Sequence, residues 1–236
     1  MFNFYLPKII IILVINQIQT KHVEKMGRLK KGMNGPISGK VGTVIGSSWR
    51  GIEYMKSLPN RKVKFSKAEL LNQEKFKLTQ AWLKPIKNFV NKSFKNENKK
   101  LEGYYGAKSY ISKNALVVDS DGVHIDPSLM KVSMGTLANS ENITVIQETP
   151  KTLKFTWNPE PLPDTSLKDQ VMLLAYDVAN EQVRFTTTGR FRSDGSDELE
   201  ILAGSTGRTL EIYAAFNSAD RQRQSDSIYL GSLVIT

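Results

Sequence analysis

The chain has 236 residues, 40% of them hydrophobic and 24% charged, a globular composition that excludes collagen-like, wholly disordered and multi-span membrane proteins. It has no cysteine and only two histidines, His22 and His124, which excludes disulfides, thiolate metal sites and thiol nucleophiles and argues against a histidine-rich metal cage or a two-histidine catalytic pair; no metal or cofactor is expected. The net charge of +10 is divided unevenly: residues 1–100 carry 21 Lys+Arg against 5 Asp+Glu, a net of +16, and residues 101–236 carry 12 against 18, a net of −6.

That division fits a polyanion partner such as nucleic acid for the basic half. It fits equally an electrostatic association between copies, basic half on acidic half, or a lysine-rich solvated surface. Residues 1–25 open with a seven-residue apolar run, Ile9–Ile15, far short of the roughly 20 residues of a membrane span. Lys8 precedes the run, as in a weak signal-like segment, but Asn16-Gln17-Ile18-Gln19-Thr20 is no small-residue cleavage site. The character of the chain changes at Met26-Gly27. Residues 1–25 are therefore expected to be an upstream extension, and a start at Met26 favours a cytoplasmic location.

The next stretch, "GKVGTVIGSSWRG" from Gly39 to Gly51, has the look of a phosphate loop. Its spacing rejects that reading. Gly35 and Gly39-Lys40 enclose three residues where a P-loop needs four, and Val41 stands where the magnesium-binding hydroxyl belongs. Gly39, Gly42 and Gly46 also miss the dinucleotide spacing. A pair of extended segments is expected instead, carrying Val41, Val44, Ile45, Ile52, Tyr54 and Met55. Gly46-Ser47-Ser48 reads as the turn between them, and Trp49 as an apolar anchor. Gly39, Gly42, Gly46, Trp49 and Gly51 form a structural signature. Glycine at these places implies close approach to a core helix or, alternatively, a neighbouring subunit. Lys30, Lys31, Lys40, Arg50, Arg61, Lys62 and Lys64 surround the stretch and are the candidate polyanion contacts.

The run "GPISGKVGTVIGSSWRGIEYMKSLP" resembles the opening of a bacterial domain of unknown function, the 6266 family. "FKLTQAWLKPIKNFV", "YYGAKSYISKNAL" and the closing "SIYLG" are similar to later parts of it. The likeness extends over most of residues 26–231 and implies no activity, because the family is uncharacterised. "NRKVKFSKAE" departs from it in being unusually basic.

Ser66 and Glu69 form a capping-box pattern ahead of Leu71, Leu78, Trp82, Ile86 and Phe89, one apolar helical stripe. Pro85 is expected to kink this helix or to begin a second one. Phe76, Trp82, Phe89 and Phe94 could stack bases, although the stripe points to a core. A further helix is expected over Tyr104–Leu116, with Ala107, Ile111 and Ala115 on one face. Asp119, Asp121 and Gly122 begin like a calcium loop, but Val123 and Met130 occupy ligand positions. A turn is expected there, with His124 on a strand.

From about Ile143 the period becomes two. "TLKFTW", "DQVMLLAYDV", "QVRFTTT", "ELEIL", "TLEIYAAF" and "IYLGSLVI" are separated by turn residues, the pattern of a β-sandwich. Asp194 to Glu198 is expected as a solvated loop, and Arg221-Gln222-Arg223-Gln224 as a hairpin tip. "TLKFTWNPE" and "VMLLAYDV" resemble the second and third strands of a fibronectin type III-like module, with Leu210 near the place of its corner tyrosine.

The expected fold is α+β. A glycine-rich β segment and two or three helices occupy 26–140, and an immunoglobulin/fibronectin III-like antiparallel β-sandwich occupies 141–236. No enzyme motif and no small-molecule substrate are evident. A non-enzymatic structural or interaction protein is expected, self-associating or bound to a protein partner. A polyanion-associated, phage- or prophage-derived particle protein is the alternative, and an exported surface adhesion module the second.

Overall fold

In the computed structural model the described residues are 28–29, 32, 35–49, 51–59, 64–95, 103–120 and 122–236. Residues 1–25, Lys30, Lys31, Arg50, Arg61, Lys62 and Asp121 lie outside them. The chain divides into two compact units, Met1–Lys64 and Phe65–Thr236.

In the first unit β1 (Arg28–Leu29), β2 (Ile37–Val41), β3 (Val44–Trp49) and β4 (Ile52–Ser57) form one antiparallel sheet in chain order. Val41 pairs with Val44, so residues 42 and 43 are a two-residue loop. Gly42 supplies the positive φ of 57° that such a tight hairpin needs at its first position. In the next pair of strands Trp49 pairs with Ile52. The turn expected at Gly46-Ser47-Ser48 is absent. Those residues lie inside β3, opposite Met55, Tyr54 and Glu53, because the pairing of β3 with β4 continues to Trp49 and Ile52. A β-carbon on Gly46 would stand 2.0 Å from the Ile37 carbonyl oxygen. The close neighbour that requires glycine at this position is thus the unit's own backbone, not a core helix.

In the second unit α1 spans Lys67–Ser93. Ser66 caps it: its hydroxyl accepts the Glu69 N–H at 3.3 Å, and the Glu69 carboxylate accepts the Ser66 N–H at 2.9 Å. The helix runs through Pro85 without a new start. A lone proline forfeits one helical hydrogen bond at a cost of roughly 3 kcal/mol. Trp82, Leu83, Ile86, Phe89 and Val90, all buried around it, offset that cost, since each apolar side chain withdrawn from water contributes about 1.5–3 kcal/mol. α2 (Gly103–Asn114) buries Ala107 and Ile111, with Ala115 just beyond its end. A hairpin of β5 (Leu116–Asp119) and β6 (Gly122–Ile125) follows, so His124 is a strand residue.

The remaining strands are β7 (Thr144–Thr149), β8 (Thr152–Thr156), β9 (Gln170–Asp177), β10 (Gln182–Thr186), β11 (Ser196–Glu200), β12 (Thr209–Asn217) and β13 (Ile228–Val234). They form a four-stranded antiparallel sheet, β10-β9-β12-β13, and a three-stranded one, β11-β8-β7. Side chains alternate across a strand. Val171, Leu173 and Ala175 of β9, with Leu210, Ile212, Ala214 and Phe216 of β12, join Leu153, Phe155 and Leu199 of the three-stranded sheet in one apolar cluster. Met172, Leu174 and Tyr176, with Tyr213 and Ala215, join the buried faces of α1 and α2 in the other. The four-stranded sheet is therefore covered on both faces, which explains the unbroken apolar run of β9. Helices and strands share this second core, so the compact unit begins at Phe65, not near residue 140. Trp82, Phe89 and Phe94 are buried in the same core, which removes three of the four aromatics considered for base stacking.

Candidate functional site

Two places gather exposed or charged side chains. The first is the glycine-rich sheet, where Lys40 is the candidate polyanion contact held in a strand; Lys64 is exposed at the end of this unit. Directly paired residues of an antiparallel sheet share a face. Lys40 pairs with Ile45, and Ile45 with Lys56; Ser47 pairs with Tyr54, and Trp49 with Ile52. One face thus carries a rung of two lysines, then a tyrosine, then Trp49 beside an isoleucine. Trp49 is 63% exposed, Ile52 66% and Tyr54 41%. The expectation that Trp49 anchors a core is corrected: the pleat turns it outward, away from the side on which Ile37 overlies Gly46. The opposite face carries Val41, Val44, Met55 and the carboxylate of Glu53. None of the described side chains of β2, β3 or β4 belongs to either apolar cluster.

The second place is one end of the paired sheets, where the β8–β9 and β12–β13 connections meet. A 3-10 turn, Arg192–Asp194, presents Arg192 to the interior. Arg192 is fully buried. Its Nη1 donates to Ser140 Oγ at 2.7 Å and its Nη2 to the Ala138 carbonyl at 2.9 Å. The Asp169 carboxylate lies 3.5 Å from Nη2, and the Phe216 ring lies 4.3 Å from the guanidinium carbon. Burial lowers the Arg192 pKa and the Asp169 charge opposes that shift. Asp169 also accepts the N–H groups of Ser166 at 2.8 Å and Ala219 at 3.1 Å, which ties the two connections together.

Arg223 pairs with Asp164, and Arg221 donates to the Gln170 side chain. The Arg221–Gln224 tip expected from the sequence is therefore docked across the β8–β9 connection. A cleft of about 340 Å³ lies between them, lined by Asp164, Thr165, Ser166, Asp169, Ser218 and Asp220 among others. Asp164 there pairs with Arg223, Asp169 pairs with the buried Arg192, and Asp220 accepts from the Ser218 hydroxyl and the Gln222 N–H, so the cleft is lined by polar groups that already have partners. Sequence reasoning missed Arg192, because its partners at 138, 140, 169 and 216 come from three separate segments and no spacing rule links them.

Asp197 is not in a solvated loop. It is buried in β11, where it accepts the N–H of Arg190 at 2.9 Å and of Glu198 at 2.8 Å. At the other hairpin, His124 Nδ1 lies 3.5 Å from the Asp119 carboxylate. Among the described residues no group of three or more His, Asp or Glu is placed to hold a metal ion. Among them, too, no helix is long and apolar enough to cross a membrane.

No curated protein matches the chain. One family model matches residues 35–231, from ahead of the first glycine hairpin into β13. That span reaches into both compact units and takes in β2 to β12 entire. The chain therefore belongs to the family of unknown function DUF6266.

Proposed function

We propose that this is a non-enzymatic interaction protein, with a fibronectin III-like sandwich as scaffold and the glycine-rich sheet as the element that associates with a second copy. The strand order supports the scaffold. With β7, β8 and β11 lettered A, B and E, and β9, β12 and β13 lettered C, F and G, the two sheets divide as in an immunoglobulin-type sandwich. Trp157, at the end of the second of these strands, is buried edge-on to Phe216, with ring centroids 5.6 Å apart. The non-enzymatic reading is supported by the use made of buried charge: Arg192, Asp169 and Asp197 serve backbone groups and each other.

The observation that carries self-association is β4. It is the outer strand of its sheet, its six residues are all exposed, and Glu53 and Lys56 are its only charges. An outer strand of this length, without proline or a protecting cluster of charge, presents backbone donors and acceptors to any matching edge. Pairing with β4 of a second copy satisfies both edges in an isologous, self-closing contact. Light scattering over a wide concentration range tests this. A dimer is expected at high concentration, and Met55→Lys, which adds edge charge, is expected to weaken it. A monomer at every concentration overturns the reading.

A further inference from the structure

We propose that the Trp49 face of the glycine-rich sheet binds single-stranded nucleic acid, stacking bases on Trp49 and Tyr54 and neutralising phosphates with Lys40 and Lys56. This goes beyond association through the β4 edge, because it uses side chains that stand on the sheet's face and leaves the edge free.

The argument rests on what shares that face. Trp49 and Tyr54 occupy neighbouring rungs on adjacent strands, a diagonal separation of roughly 7–8 Å between their backbones. Two rings so placed can receive adjacent bases. Lys40 and Lys56 lie one rung further on, flanking Ile45, and both are exposed. Residues 28–64 carry nine Lys+Arg and a single carboxylate, Glu53, which the pairing puts on the opposite face.

Charge decides among occupants. An apolar protein surface covering Trp49, Ile52 and Tyr54 would strip water from two unpaired ammonium groups. A second copy laid face to face would bring like charges together. A single strand offers a π-face on every base for the rings and a phosphate on every nucleotide for the lysines. A duplex offers the phosphates alone, because its bases are stacked on one another. Ring stacking accepts any base, so little sequence preference is expected.

The test is fluorescence anisotropy of the full 236-residue chain with a labelled oligothymidylate of about 15 nucleotides. A duplex of equal length and inorganic polyphosphate serve as competitors. The single strand is expected to bind most tightly. Trp49→Ala and Tyr54→Ala are each expected to weaken it on the order of tenfold. Lys40→Gln and Lys56→Gln are each expected to reduce the slope of log affinity against log salt by about 0.7. All four side chains are exposed or on exposed positions, and an unchanged melting curve separates a lost contact from a lost fold.

Absence of binding at about 50 mM salt overturns the proposal. So does equal affinity for all three polyanions, or wild-type affinity in the Trp49→Ala/Tyr54→Ala double variant. Light scattering of the wild type beside the binding measurement keeps the two readings apart. A monomeric wild type that still binds the single strand refutes edge pairing alone, and a dimer that ignores the single strand refutes the face alone.

Discussion

The sheet β10-β9-β12-β13 and the glycine-rich sheet β1-β2-β3-β4 have the same number of strands, and both are antiparallel. They differ in what their side chains meet. In the first, β9 buries seven of its eight residues and finds a core on each side. In the second, all six residues of β4 face solvent. Secondary structure alone therefore says nothing about where the stability of this chain resides. Burial does: the doubly covered sheet is where apolar area leaves water, and the glycine-rich sheet is where apolar area stays exposed, at Trp49, Ile52 and Met55.

This contrast can be broken at several points. The largest effect is expected at Asp169→Ala, which leaves the buried Arg192 charge without its counter-ion; a loss of about 3–5 kcal/mol in unfolding free energy is expected from denaturant titration. Leu173 and Leu174 are adjacent in β9 and fully buried on opposite faces. Replacing either by alanine should cost about 2–5 kcal/mol. A near-neutral Leu174→Ala would show that the helices contribute no core to the sheet and would erase the contrast.

Ser66→Ala removes one half of the capping box and should cost about 1 kcal/mol, read as a shift in thermal midpoint. The smallest effect belongs to the other sheet. Trp49→Ser should change stability by less than about 0.5 kcal/mol, because the ring is exposed. A loss comparable to that at Leu173 would mean that Trp49 serves the fold and is not a contact residue.

Much of the buried unit was legible in the sequence because its periods are strong. The stripe Trp82, Ile86, Phe89 announces a helix, and the alternation around Phe155 announces a strand. Pro85 left two outcomes open, a kink or a new start, and one continuous helix with its neighbours packed in the core decides against the new start. Gly46-Ser47-Ser48 misled because its composition suits a turn, whereas its pairing with Met55, Tyr54 and Glu53 is a property of two strands together. The Trp49 face has the same origin. Lys40, Tyr54 and Trp49 have no periodic relation along the chain and become neighbours only through hairpin pairing. Arg192 is the extreme case, since its environment is assembled from connections that sequence periodicity does not describe.

The doubly covered sheet also changes how strand alignment is protected. In a sheet with one wet face, a slip of one residue turns apolar side chains toward water and is rejected at once. In β9 and β12 both faces are apolar, and that safeguard is gone. Two tyrosines replace it. Tyr176 donates its hydroxyl to the Trp82 carbonyl at 3.1 Å, and Tyr213 donates to the Pro127 carbonyl at 2.8 Å. Both acceptors lie on the helical side. A one-residue slip of either strand would carry its hydroxyl into the opposite core and away from that acceptor, at roughly 1–3 kcal/mol for each buried donor left unmade. The two phenols thus act as alignment pins, giving two interchangeable greasy surfaces a left and a right.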